Sequence, residues 1–153
     1  MKSILDKSVN EEMQSRINSL ETSDAALWGK MNVNQMICHL SDALKMGLGI
    51  KKTKFVGNFF LTKIMKNLIL WGVIKAPKGK VKTVPELKQG AGGTPPKEFL
   101  NDKNELLDLV TNFSSKYPNN TLIVHPAFGA MSKQEWGRLA YTHIEHHLQQ
   151  FGR

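Results

Sequence analysis

Ser132-Lys133-Gln134-Glu135-Trp136-Gly137-Arg138-Leu139-Ala140-Tyr141-Thr142-His143-Ile144-Glu145-His146-His147-Leu148-Gln149-Gln150 is the stretch whose pattern decides the fold. Ser132 stands three residues before Glu135, the spacing at which a serine oxygen takes an orphan helical N–H and the glutamate reaches back to the cap. Apolar residues then recur at Trp136, Leu139, Ala140 and Ile144, which marks one stripe of an amphipathic helix over about 133–150. At ~100° per residue, His143 and His147 lie ~40° apart and one turn displaced, at the centre of that stripe. Two imidazoles therefore point where the pattern places the core.

Three earlier segments open with the same punctuation: Ser8-x-x-Glu11, Asn32-x-x-Gln35 and Asp102-x-x-Glu105. Each precedes an apolar-periodic run. The spacing predicts helix one over 9–20 (Val9, Met13, Ile17 and Leu20 inward). It predicts helix two over 33–48 (Val33, Met36, Ile37, Leu40 and Leu44 inward) and helix three over 103–117 (Leu106, Val110, Phe113 and Tyr117 inward). Isolated helices of this length are marginal in water, so they must bury these stripes on one another. The simplest solution is an all-α four-helix bundle, read as a single domain over 1–153. A short link around 24–31 favours an antiparallel first pair. Some fifty residues, 49–101, then separate helices two and three and require a crossover with its own structure. Within it, Phe60, Ile64, Leu68 and Trp71 predict an extra helix over 56–74. Residues 77–96, rich in Gly, Pro and Lys, are expected to be irregular.

The chain has 153 residues, ordinary globular composition and a net charge of +8. That charge raises the question of nucleic acid, and its distribution answers it. From Leu44 to Thr83 there are lysines at 45, 51, 52, 54, 63, 66, 75, 78, 80 and 82 and no acidic residue. A lysine-rich connector without arginine and with few interleaved aromatics is not a nucleic-acid pattern; it reads as a solvated basic face. The N-terminus has no apolar run of the kind a secretory signal needs, and Lys63 and Lys66 interrupt the longest apolar stretch. One cysteine, Cys38, allows no internal disulfide and reads as a small packed thiol. The expected compartment is the cytoplasm.

Buried imidazoles require partners for their ring nitrogens, and one shared metal ion meets that requirement for two histidines at i, i+4. Hydrogen-bonded core histidines are the plain alternative. The glutamate that follows the first histidine in metalloprotease helices is absent, since Ile144 stands there. A third ligand could come from His39 in helix two or from His125, which precedes Pro126 just before the last helix. His146 lies nearer the edge of the buried face, and Glu145 points to the opposite side, away from any role as a general base. Asp42, one turn after His39, is placed to accept that ring's other N–H or to be exposed. Trp28 and Trp136 read as core anchors.

The residues Cys38-His39-Leu40 in helix two, a crossover, and His-x-x-His-His-x-x-Gln over 143–150 resemble the DinB/YfiT-like superfamily, whose members are taken to be metalloenzymes. His125-Pro126-x-Phe128-Gly129, Trp136 and the run from His143 to Gly152 are similar to its DUF1569 branch. The resemblance implies an up-down-down-up bundle with a long crossover, frequently dimeric, and metal ligands at His39, His143 and His147. It places Gln150 where a glutamine holds a ligand's outer nitrogen or faces substrate, a position His146, Asp42 and His125 could share. The superfamily's usual Arg-Gly before that glutamine is replaced by Leu148-Gln149. Three neutral imidazoles suit a divalent ion, zinc before nickel, iron or manganese. The implied activity is a metal-dependent transferase or hydrolase on a small-molecule substrate, with a low-molecular-weight thiol cosubstrate in some relatives. The alternative is a non-catalytic binding module whose basic amphipathic segment 51–82 docks on an anionic membrane surface or an acidic partner. The preferred expectation for 56–74 is a lid over the open end of the bundle.

Overall fold

The computed structural model describes residues 1–74 and 84–153. The element order is α1 (Lys7–Asn18), α2 (Val33–Gly47), a π-helical run Phe60–Met65 continuing into α3 (Lys66–Leu70), and a 3-10 turn Pro85–Leu87. Then come α4 (Phe99–Thr111), α5 (Phe113–Lys116), β1 (Ile123–His125), β2 (Gly129–Met131) and α6 (Lys133–Gln150). The chain is mostly helical, with one two-stranded sheet. No described helix is long and apolar enough to cross a membrane.

The apolar stripes of the four longer helices meet as their spacing requires. α2 packs on α4 and α6, and α1 packs on the same two helices. Met13, Ile17, Met36, Ile37, Leu40, Leu106, Val110, Ile144 and Leu148 are buried at the junction. Two of the four expected capping boxes are present in full. Asn32 accepts from the Gln35 N–H at 2.8 Å while Gln35 accepts from the Asn32 N–H at 3.0 Å. Ser132 and Glu135 exchange the same pair of bonds at 3.3 and 2.8 Å. Each cap of this kind stabilises its helix by roughly 1 kcal/mol.

The other two boxes match in spacing only. α1 already starts at Lys7, so Ser8 lies inside it, and the flanking Asp6 takes the Ser3 N–H at 3.2 Å instead. α4 starts at Phe99, capped by Glu98, whose carboxylate accepts from Leu100 and Asn101 N–H at 3.1 and 2.8 Å. Asp102 therefore sits within the first turn and reaches back to the Lys97 N–H at 2.9 Å. Helix three also breaks at Asn112 (φ −101°), where the side-chain amide donates to Asp108, so Tyr117 follows the short α5 rather than ending a continuous helix.

The crossover helix is shorter than 56–74 and begins with wide π-helical turns. The Asn58 side chain accepts from the Leu61 N–H at 3.0 Å where the helix begins. Of the stretch expected to be irregular, residues 77–83 lie outside the described residues; 84–96 hold only the turn at Pro85–Leu87 and tight bends. This loop is tied to α2 by Asp42, which accepts from Thr94 N–H at 2.8 Å and Thr94 hydroxyl at 2.7 Å and pairs with Lys51 at 3.0 Å.

The sheet corrects the all-α expectation. Ile123 pairs with Met131, Val124 with Ala130 and His125 with Gly129 in an antiparallel hairpin. A β-branched run, then Pro126 and a glycine at φ +73°, is a hairpin signal. The hairpin is bolted to the helices by the Trp136 indole N–H, which donates to Ile123 carbonyl at 3.1 Å, and by the Tyr117 hydroxyl, which donates to Met131 carbonyl at 3.2 Å.

Candidate metal centre

The α2 stripe turns His39 inward and the α6 stripe turns His143 and His147 inward, and packing of α2 on α6 brings the three rings together. His39 and His147 are buried, while His143 is partly open to the adjoining cavity. One nitrogen from each ring falls within a span of 4.8 Å, close enough for the three to hold one metal ion. The Nε2 atoms converge: His39 Nε2 is 3.0 Å and His147 Nε2 3.1 Å from His143 Nε2. For bonds of ~2.0–2.1 Å to a tetrahedral zinc, ligand nitrogens stand about 3.3 Å apart, so small ring adjustments suffice.

The outer nitrogens decide which inner atoms carry lone pairs. His39 Nδ1 is 3.1 Å from the Leu87 carbonyl oxygen. A carbonyl can only accept, so Nδ1 carries the proton and Nε2 is bare. His147 Nδ1 lies 2.8 Å from Gln150 Oε1. The orientation of that amide is fixed by its other end, since Gln150 Nε2 donates to the Trp28 carbonyl. His147 Nε2 is then bare as well. Two lone pairs aim at His143 Nε2, and a single proton there could serve them only by a divided bond. A cation satisfies all three, and outer N–H groups donated to a carbonyl and an amide are the arrangement that orients metal-ligating histidines.

Charge reinforces this. Burial lowers the pKa of His39 despite its bond to Leu87. Burial first, and then the neighbouring imidazoles, hold His143 well below the ordinary histidine value. Burial, with a smaller push from His39, brings His147 down to about 3. All three rings are therefore neutral near pH 7, the form in which imidazole ligates metal.

Gln150 was legible as a residue of the core face, and it accepts from His147. Gly29 makes room for it: its φ is +86°, and a Cβ there would lie 2.4 Å from Gln150 Nε2. His146 lines the cavity with its ring edge-on to Trp28, centroids 6.0 Å apart, and to His147 at 5.2 Å. Asp42 sits elsewhere in the network, holding Thr94 and Lys51, while the outer N–H of His39 goes to Leu87. His125 stands outside the cluster of three. Its Nδ1 accepts from Ala127 and Phe128 N–H, both at 3.1 Å, and its ring stacks on Phe128 at 4.5 Å. It closes the hairpin turn, and burial pushes its pKa down to about 4.

Glu145 pairs with Arg16 at 2.5 Å, away from the histidines. The Cys38 thiol is buried, and burial first pushes its pKa up to about 12, so it stays protonated. The two backbone carbonyls, of Leu87 and Trp28, had no signal in the sequence, because any residue type can supply a carbonyl. Trp28 is half-buried beside His146 rather than a core anchor.

The histidines form one wall of a cavity of about 680 Å³. Met46, Leu61, Met65, Ile69, Phe113 and Trp136 contribute to an apolar lining, and no described lining residue is acidic. A site of this size and polarity suits a small, largely apolar molecule.

A helical chain with three converging histidines at the wall of an apolar cavity is thus the class that fold and site define. One family model, described as a protein of unknown function (DUF1569), matches residues 2–153. The chain belongs to the DUF1569 family. No curated protein and no solved structure matches it.

Proposed function

We propose that His39, His143 and His147 bind one divalent metal ion, zinc by preference, and that the protein is a metal-dependent transferase or hydrolase acting on a small molecule. The observation that carries the reading is the convergence of three Nε2 atoms whose outer nitrogens on His39 and His147 are already committed to Leu87 and Gln150. On this reading the four longer helices form an up-down-down-up bundle of the DinB/YfiT-like kind, with 49–101 as its crossover. The ion would supply Lewis-acid chemistry at the cavity wall. Three protein ligands are the number that leaves a coordination position for a reacting molecule.

The remaining work falls to the lining. The apolar wall positions the substrate's carbon skeleton and excludes water. With no carboxylate among the described lining residues, proton exchange would fall to His146 rather than to an acidic base. A low-molecular-weight thiol is the cosubstrate that the superfamily resemblance suggests, and Cys38, buried and protonated, offers no competing nucleophile.

Elemental analysis of tag-free protein beside the His143→Ala variant tests the reading. Near one equivalent of a divalent metal is expected in the wild type, with less than a tenth of that in the variant. Metal-free wild type after dialysis against zinc would refute it and leave the histidines as hydrogen-bonded core residues.

A further inference from the structure

The crossover helix is apolar on two sides. Leu61, Met65 and Ile69 line the cavity, so this segment forms part of its wall. Its other side is uncovered: Phe59 is 75% exposed, Phe60 53%, Ile64 44% and Trp71 67%. Of the fourteen large apolar side chains left exposed among the described residues, eight (55, 56, 59, 60, 64, 71, 73 and 74) fall between Phe55 and Ile74. The other six are scattered from Met1 to Val124, so this is a patch rather than ordinary surface, and such a patch marks an interaction site.

Charge selects the occupant. Lys52 and Lys63 are exposed and make no ion pair with a described residue. From Leu44 to Thr83 the sequence has ten lysines and no acidic residue. Lys51 and Lys66 are used internally, on Asp42 and Glu135 at 3.0 and 2.7 Å. A second copy meeting this face in an isologous contact would set like-charged lysines against one another. An anionic bilayer satisfies both components. Its headgroups take the ammonium groups, and its interface accepts a tryptophan and phenylalanines.

We propose that residues 55–74 are a docking surface for an anionic lipid bilayer, on the outer side of the helix whose inner side walls the cavity. This goes beyond the metal-enzyme reading and does not depend on it. Docking places the cavity wall against the membrane, a position from which an apolar substrate could be drawn out of lipid.

Co-sedimentation of the full chain with phosphatidylglycerol–phosphatidylcholine vesicles tests it, with phosphatidylcholine vesicles alongside. Binding to the anionic vesicles at low salt, release at high salt and a blue shift of tryptophan emission that is absent in Trp71→Ala are expected. Phe59→Ser/Phe60→Ser should weaken partitioning about tenfold or more, and Lys63→Glu about tenfold. All these side chains are exposed, and unchanged circular dichroism confirms that the variants fold. Absence of binding to anionic vesicles at low salt would overturn the proposal, as would variants that bind like the wild type. A dimer abolished by Phe59→Ser/Phe60→Ser, without vesicle binding, would assign the patch to a second copy instead. Capture by soluble polyglutamate but not by vesicles would assign it to an acidic protein.

Discussion

Two walls of one cavity are built on opposite terms. On the histidine wall, His39 and His147 each have an outer nitrogen held by a named partner: Leu87 carbonyl on one side, and Gln150, itself anchored on Trp28 carbonyl, on the other. On the facing wall, residues 55–74 offer apolar side chains whose inner members touch the cavity through dispersion and burial alone, with no directional bond. Hydrogen-bonded polar groups tolerate displacement poorly, because an unmet buried donor or acceptor costs roughly 1–3 kcal/mol. Apolar contacts adapt at lower cost when volume is kept. One wall fixes atoms; the other fixes only a shape.

The sharpest way to break this contrast is pH. In the native protein His125 keeps its ring neutral down to about pH 4 because it is buried, whereas in the unfolded chain it protonates near 6.5. Between those values the unfolded state binds more protons, so stability rises with pH across this window and is lost as pH falls through it. His125 alone should account for roughly 3 kcal/mol between pH 7 and 4, and His147 adds to the same slope, its value lying at about 3. Urea midpoints of the metal-free protein should fall steeply over that range. A flat profile, or NMR titration of His125 near pH 6.5, would contradict its burial.

A smaller effect separates the ring from its support. Gln150→Leu keeps the three imidazoles and removes the acceptor for His147 Nδ1. Metal affinity should drop about 10–100-fold, the usual cost of losing an outer hydrogen bond to a ligand. Competition with a chromophoric chelator reads this directly, and wild-type affinity in the variant would mean that His147 needs no such support. The smallest effect belongs to the opposite wall. Phe60→Ser, at a side chain 53% exposed, should leave unfolding free energy within about 0.5 kcal/mol. A loss several times larger in a urea melt would show that this residue is packed in solution.

The same two walls differ in how far the sequence foretold them. His143, His147 and Gln150 share a helical stripe with Trp136, Ala140 and Ile144, and periodicity alone puts them on one side of α6. Residue reading left His39 and His125 as rivals for the third position and the family resemblance favoured His39; the structure brings His39 to the pair and commits His125 Nδ1 to the hairpin turn. What was not legible is what comes from backbone. Leu87 and Trp28 act through carbonyls placed by loops, and helix starts shifted by a residue or several: Glu98 caps α4 in place of Asp102, while α1 begins after Asp6 with no side-chain cap at all. Spacing detects a possible cap; the competition between neighbouring caps is settled by packing. In the crossover, lid and docking face read as alternatives, because a helical stripe is usually single. Here the helix carries two.

The π-helical run Phe60–Met65 sets a condition on chain length rather than on composition. Wide turns of this kind close on the residue five positions back and hold one residue more than the α-helix that would otherwise occupy the same rise. Removing one residue within Phe60–Met65 would let the run relax to ordinary α-helix with the residues on either side kept in phase. Removing one from the α-helical turns that follow would instead rotate the two parts of the helix by about 100° relative to each other, and the cavity face and the outer face would fall out of step. Exchanging one apolar residue for another preserves both faces. Among descendants of this sequence, apolar exchanges in the segment should be accepted, and a single-residue gap should be accepted within 60–65 but rejected in the α-helical turns after it.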